Sequence, residues 1–203
     1  MKKGILTIIF TFSVFVMIAQ DYSRLISAFS DSYSKEKAGK YAEAVSALKA
    51  CYDVNSYEIN LRLGWLTYLQ GQFTESMNFY RKAIDLMPYA IEPRLGVVLP
   101  ASSLGNWDEV ISQYNKILEL DPNNTVTLYR MGLISYDKKD YRQALVKFEK
   151  IANLYPFDYQ SVLMLAWTNY RLGNYREAKV LFNKALFYSP DDASAKEGLN
   201  LIK

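Results

Sequence analysis

An all-α fold of stacked helical hairpins is predicted by three observations. From Tyr57 onward, small and aromatic residues recur every 34 residues: Gly64, Val98, Gly132, Ala166 in one column and Phe73, Trp107, Tyr141, Tyr175 in the next. Three further columns follow, Ser76, Val110, Ala144, Ala178, then Tyr80, Tyr114, Phe148, Phe182, then Ala83, Ile117, Ile151, Ala185. Within a block the apolar residues fall three and four apart, the period of a helix with one buried face. Each block closes on a proline, Pro88, Pro122, Pro156 or Pro190. A repeat of this length marks supersecondary units that bury their apolar faces only by stacking.

The chain opens with Met1-Lys2-Lys3 and an apolar stretch from Gly4 to Ala19, the charged and apolar regions of a secretory signal. Residues 1–20 are therefore expected to be a leader, with the mature chain starting near Gln20 or Asp21. Met17 is large for the place where cleavage favours a small residue, so an uncleaved signal anchor is the alternative, although the stretch is slightly short for a membrane span. Cys51 is the only cysteine. No disulfide can form within the chain and no lipid-modified cysteine follows the leader, a combination that points to a bacterial envelope, periplasmic or membrane-anchored.

Residues 21–56 read as a degenerate first unit. Gly39-Lys40-Tyr41, Ala44, Leu48 and Cys51 repeat the second-helix columns 32 residues ahead of their counterparts. Its first helix is expected to bury Ile26, Phe29, Ser30 and Tyr33, with a turn around Lys35 to Lys40 two residues longer than the others. Cys51 is read as a packing residue in a helix column otherwise held by Ala or Ile.

Four regular units span 57–90, 91–124, 125–158 and 159–192. In the third of these, Leu128, Met131, Gly132, Ile134 and Ser135 mark a first helix, and Lys138 to Asp140 a turn. A second helix from about Tyr141 to Leu154 buries Ala144, Leu145, Phe148 and Ile151, and Pro156 ends it by denying a backbone donor. In unit 91–124, Pro93 sits at a helix start, where it is comfortable, but Pro100 lies inside the helix at a cost of about 3 kcal/mol. Two readings of Pro100 stand: a kink tolerated by a curved stack, or a hinge that widens a groove. Residues 193–203 are expected to form a capping helix with Leu199 and Ile202 turned inward.

The units resemble tetratricopeptide repeats. The resemblance rests on Leu63-Gly64, Gly71-Gln72-Phe73, Tyr80, Ala83 and Pro88, and again on Leu165-Ala166, Gly173-Asn174-Tyr175, Ala178, Phe182, Ala185 and Pro190. The tryptophan often found early in that family's first helix is replaced by Asn60, Arg94, Leu128 and Val162. The resemblance implies a right-handed α-solenoid whose concave side, lined by first helices, binds an extended peptide or a partner helix.

On that reading the partner-binding groove is built from Leu61, Trp65 and Tyr68, then Leu95 and Leu99 with Ser102 beyond them, then Tyr129, Leu133 and Tyr136, then Leu163, Trp167 and Tyr170. Their spacing of four and three places each trio on one stripe of its helix. The stripes are expected to be exposed and to align into an aromatic floor, with Trp65 and Trp167 as anchors because an indole there has little intramolecular reason to be present. The Lys and Asn of the carboxylate-clamp subtype are missing, since Leu61, Trp65, Tyr129 and Leu133 hold the matching places.

Composition removes other functions. There are 24 basic and 21 acidic residues and a net charge of +3, which supplies no surface for nucleic acid. The absence of histidine excludes imidazole catalysis and His-containing metal sites. Asp108, Glu109, Asp140 and Glu177 gather at turns, with no nucleophile to pair with. The expected function is a non-enzymatic interaction scaffold without cofactor or metal, binding a protein partner in an envelope complex that includes a membrane-associated one as an option. The alternative is a glycan-binding module in which the aromatics stack on sugar rings. The oligomeric state stays open.

Overall fold

The computed structural model describes residues 22–202. The leader, with its cleavage site, lies outside the described residues. Among those described there are eleven helices and no strand: α1 (22–37), α2 (Tyr41–Lys49), α3 (Tyr57–Leu69), α4 (Phe73–Leu86), α5 (Glu92–Ser103), α6 (Trp107–Leu120), α7 (Thr125–Asp137), α8 (Tyr141–Leu154), α9 (Tyr159–Arg171), α10 (Tyr175–Tyr188) and α11 (Ala193–Leu201). They form two compact units that divide within α6, between Gln113 and Tyr114.

Local chemistry sets the ends of each hairpin. Ser56, Asn124, Asp158 and Asp192 cap α3, α7, α9 and α11 by accepting from the backbone N–H three residues on. The corresponding place before α5 is Ala90, and that helix instead starts with Pro93 in its first turn. The tight turns between helices need a left-handed residue. Gly39, Gly71, Gly105 and Gly173 supply it with φ between 70° and 81°, and Lys139 adopts it at 61°. A Cβ at those four glycines would meet nothing within 4 Å, so backbone conformation rather than space demands glycine there.

In the first unit, Ala44, Val45, Leu48, Ile59, Leu63, Leu66 and Phe79 form a buried cluster, with Leu25, Ala28, Phe29 and Trp65 packed against it. The buried face of α1 is therefore Leu25, Ala28, Phe29 and Ser32. The expected set Ile26, Phe29, Ser30 and Tyr33 has the right spacing but is turned by one residue: Ile26, Ser30 and Tyr33 are exposed. The turn into α2 has the same length as the others, with Gly39 two residues past the helix end just as Gly71 is. The two missing residues come instead from the far side of the hairpin, because α2 stops at Lys49 while α4 runs for 14 residues. Cys51 consequently lies beyond the helix, half-buried, with its thiol 3.4 Å from the Leu48 carbonyl oxygen.

The aromatic of each second helix presses on helix backbones. The Tyr80 ring lies against Gly64 of its own hairpin and Gly96 of the next helix, where an added Cβ would fall 2.8 Å and 2.3 Å from ring carbons. Helix α5 continues through Pro100 to Ser103, and the Leu104 N–H closes back on the Pro100 carbonyl at 3.0 Å.

In the second unit, Phe148 packs with Ala144 and Leu165, and its ring lies against Gly132. A further cluster joins Val162, Ala166, Ala178, Phe182, Ala185 and Ala195, and Phe182 lies against Gly198 of α11 as Tyr80 does against Gly96. Leu199 and Ile202 pack against that cluster, so α11 covers the end face of its hairpin.

Candidate functional site

The faces expected to bind a partner are partly sealed by the protein itself. In the first unit, Leu61, Trp65 and Tyr68 on α3 and Leu95 on α5 are half-buried, and Leu99 is exposed. In the second, Tyr129, Leu133 and Tyr136 on α7 and Leu163, Trp167 and Tyr170 on α9 are all half-buried. An open, fully exposed floor is thus not what the fold provides: Trp65 on α3 and the stripes of α7 and α9 pack against the buried clusters of their own unit, whereas Leu99 on α5 stays open.

The indoles also have intramolecular partners, contrary to expectation. Trp65 donates its Nε1–H to Glu36 Oε1 at 2.6 Å and packs beside Tyr68 with ring centroids 5.8 Å apart. Trp167 donates to Ser194 Oγ at 2.9 Å and meets the Phe182 ring edge-on at 4.9 Å. The tyrosines late in the first helices meet the aromatic that follows the turn in tilted or edge-on contacts: Tyr68 with Phe73 at 5.8 Å, Tyr136 with Tyr141 at 5.2 Å and Tyr170 with Tyr175 at 5.5 Å. Ser102 stands where the fourth tyrosine would be, and Trp107 across its turn is 51% exposed.

Space for a ligand remains in each unit. In the first, a groove of about 480 Å³ opens between α1, α3 and α5; Tyr33, Tyr57, Glu58, Leu61, Trp65 and Glu92 line it. The one cation among its described lining residues is Arg62, whose side chain is only 9% exposed. The guanidinium is held by Glu36 at 2.5 Å, approached by Ser32 Oγ at 3.3 Å, and lies 3.9 Å from the centre of the Tyr33 ring. Burial and the neighbouring Glu92 raise the ionisation of both Tyr57 and Tyr80 above the usual phenol range. Both phenols stay neutral, and Tyr57 donates to Glu92 Oε2 at 3.5 Å.

In the second unit a groove of about 940 Å³ runs beside the start of α7, the end of α8 and the start of α9. Val126, Tyr129, Arg130, Tyr155, Phe157 and Gln160 are among its walls. The two grooves use the same repeat positions. Tyr57, Glu58, Leu61, Arg62 and Glu92 correspond, 68 residues on, to Thr125, Val126, Tyr129, Arg130 and Gln160. Of the residues expected from sequence, Leu61, Trp65 and Tyr129 line these grooves and the others do not. Glu58, Glu92 and Arg62 were not anticipated, although Glu58 and Glu92 stand one repeat apart and that periodicity was available in the sequence.

The fold defines a helical-repeat protein with a groove beside the first helices of each unit. More particularly, the chain carries tetratricopeptide repeats: two models of that family, each described as tetratricopeptide repeat, match residues 32–91 and 135–202. Among solved structures, a tetratricopeptide repeat protein from Parabacteroides merdae is 23% identical, covering 89% of this chain and 72% of its own, with a TM-score of 0.74. MamA is 19% identical, covering 84% of this chain and 94% of its own, at a TM-score of 0.70. YrrB, described as a TPR protein with an unusual peptide-binding site, is 14% identical over 92% of this chain and 97% of its own, at 0.68. At these identities the likeness is one of fold. In sequence, the protein CTR9 homolog of Arabidopsis thaliana is 28% identical over 105 residues, which are 50% of this chain but only 10% of that protein.

Proposed function

We propose that this chain is a non-enzymatic scaffold of the bacterial cell envelope that seats segments of partner proteins on its first-helix surfaces and so helps to hold a multiprotein complex together. The observation that carries this reading is the α1–α3–α5 groove, in which Leu61 and Trp65 form a half-buried apolar wall beside open space. Half-burial suits recognition: the side chains are already held in place, so less conformational entropy is lost when a partner covers the rest of them. The description of YrrB as having a peptide-binding site is in keeping with such a use of the fold. The envelope address rests on the Lys2-Lys3 and Gly4–Ala19 leader pattern. No helix among the described residues is long and apolar enough to cross a membrane.

The test is affinity capture from envelope fractions with wild-type protein and with Leu61→Arg, whose folding is checked by its thermal melt. A folded variant should lose the partners that wild type retains. Equal recovery by both proteins would remove the groove from consideration. N-terminal sequencing of the exported protein should find a start near Gln20 or Asp21, and cytoplasmic retention of the intact chain would overturn the envelope assignment.

A further inference from the structure

Resting on the scaffold reading above, we propose that the α1–α3–α5 groove selects a partner segment carrying a lysine or arginine, whose cationic side chain is met by Glu58 and Glu92. The argument is one of unspent charge. Arg62, the groove's own cation, is already matched by Glu36 and by the Tyr33 ring. Glu58 and Glu92 are both exposed, and neither has a lysine or arginine within 4.0 Å among the described residues. Their side-chain partners are neutral hydroxyls: Ser56 Oγ lies 3.2 Å from Glu58, and Tyr57 donates to Glu92.

Two carboxylates contributed to one groove by consecutive repeats leave it with negative charge that a cationic side chain would offset. The aromatic lining favours the same guest, because Tyr57 and Trp65 are among the walls and aromatic rings attract ammonium and guanidinium groups. Charge arranged this way governs partner choice and encounter rate more than total affinity. The second unit supplies an internal contrast. At the same repeat positions it has Val126 and Gln160, while its groove contains Arg130, which is exposed. Asp158, the one carboxylate among its described lining residues, is offset by Arg130 and spends an oxygen on the Ser161 N–H, so that groove lacks the surplus negative charge of the first.

The experiment uses an array of capped random peptides, each containing a lysine or arginine and each printed again with that residue replaced by glutamine. Affinities of the strongest pairs are then measured by fluorescence anisotropy against wild type, Glu58→Gln/Glu92→Gln and Leu61→Arg. Wild type should favour the basic member of a pair by about fivefold or more, a preference that shrinks with added salt and vanishes in the double Gln variant. Equal binding of both members, or an unchanged preference in the double variant, overturns the proposal. Loss of binding in Leu61→Arg together with no effect of the Gln substitutions overturns this inference alone and leaves the scaffold reading intact. Binding indifferent to Leu61→Arg as well, or no binding by any peptide, overturns both.

Discussion

The Trp65 indole and the Glu36 carboxylate meet at 2.6 Å, and the other oxygen of that carboxylate holds the guanidinium of Arg62. One acidic side chain of α1 therefore fixes two side chains of α3, and through them one wall of the groove. At the same repeat position in the other unit, Trp167 reaches forward to Ser194 rather than back. The same column thus serves two different local clasps.

Removing Glu36 should be costly. Arg62 would be left buried without its counter-charge, so Glu36→Ala is expected to lower unfolding free energy by about 3 kcal/mol, whereas Trp65→Phe, which gives up one hydrogen bond, should cost nearer 1 kcal/mol. Urea denaturation of the two variants measures both. A Glu36→Ala protein as stable as wild type would mean that the pair contributes nothing.

Gly198 and Gly96 are contact glycines rather than turn glycines. A Cβ at Gly198 would lie 2.2 Å from Phe182 Cζ, and one at Gly96 2.3 Å from Tyr80 Cε1. Alanine gains helix propensity of about 1 kcal/mol at such a site, but the buried rings cannot retreat, so overpacking of about 1–3 kcal/mol should win. Gly198→Ala is expected to lower Tm, and Gly198→Ala/Phe182→Leu to recover part of the loss. A raised Tm in the single variant would show that the ring yields freely.

Ser102 leaves Trp107 without the aromatic neighbour that Phe73, Tyr141 and Tyr175 each possess. Ser102→Tyr should restore the pair and add about 0.5–1.5 kcal/mol of stability. A blue shift of indole emission reports on the new contact, and an unchanged spectrum with unchanged stability would count against it.

Alkaline pH should destabilise the fold through its phenols. Burial, and then Asp192 acting as hydrogen-bond partner and as a charge, raise Tyr159 to about 12. Tyr80 is raised further, by burial and then by Glu92. For a group whose ionisation is raised on folding, the stabilisation is complete below the unfolded value of about 10 and fades as pH climbs through the folded value. Stability should therefore fall between about pH 10 and 12, and Tyr159→Phe should flatten that decline. An equal slope in the variant would exclude Tyr159 as a contributor.

The helices were legible because the repeat states each of them several times. The α8 limits at Tyr141 and Leu154 follow from Tyr141, Ala144, Phe148 and Ile151, whose spacing admits only one buried face. In α1 the pattern is stated once and without register support, and Ile26 competes with Leu25 for the interior; in the fold Leu25, Ala28 and Phe29 pack on the first cluster, with Ser32 buried beside Arg62 of another helix. The groove was legible only in part. Leu61, Trp65 and Tyr129 could be placed from helical spacing, whereas Arg62 matters because Glu36 and Tyr33 happen to surround it.

By itself the sequence determined that the chain forms helical hairpins, where the four regular ones turn and which aromatics wedge them apart, because those outcomes depend on contacts repeated at fixed short separations. Tertiary structure alone decided how much of each stripe stays open to a partner. Trp65 and Trp167 are tied by groups 29 and 27 residues away, and such pairings arise only when a neighbouring helix brings a carboxylate or a hydroxyl within reach. Periodicity can announce that a helix will come; it does not say which of its side chains will be waiting there.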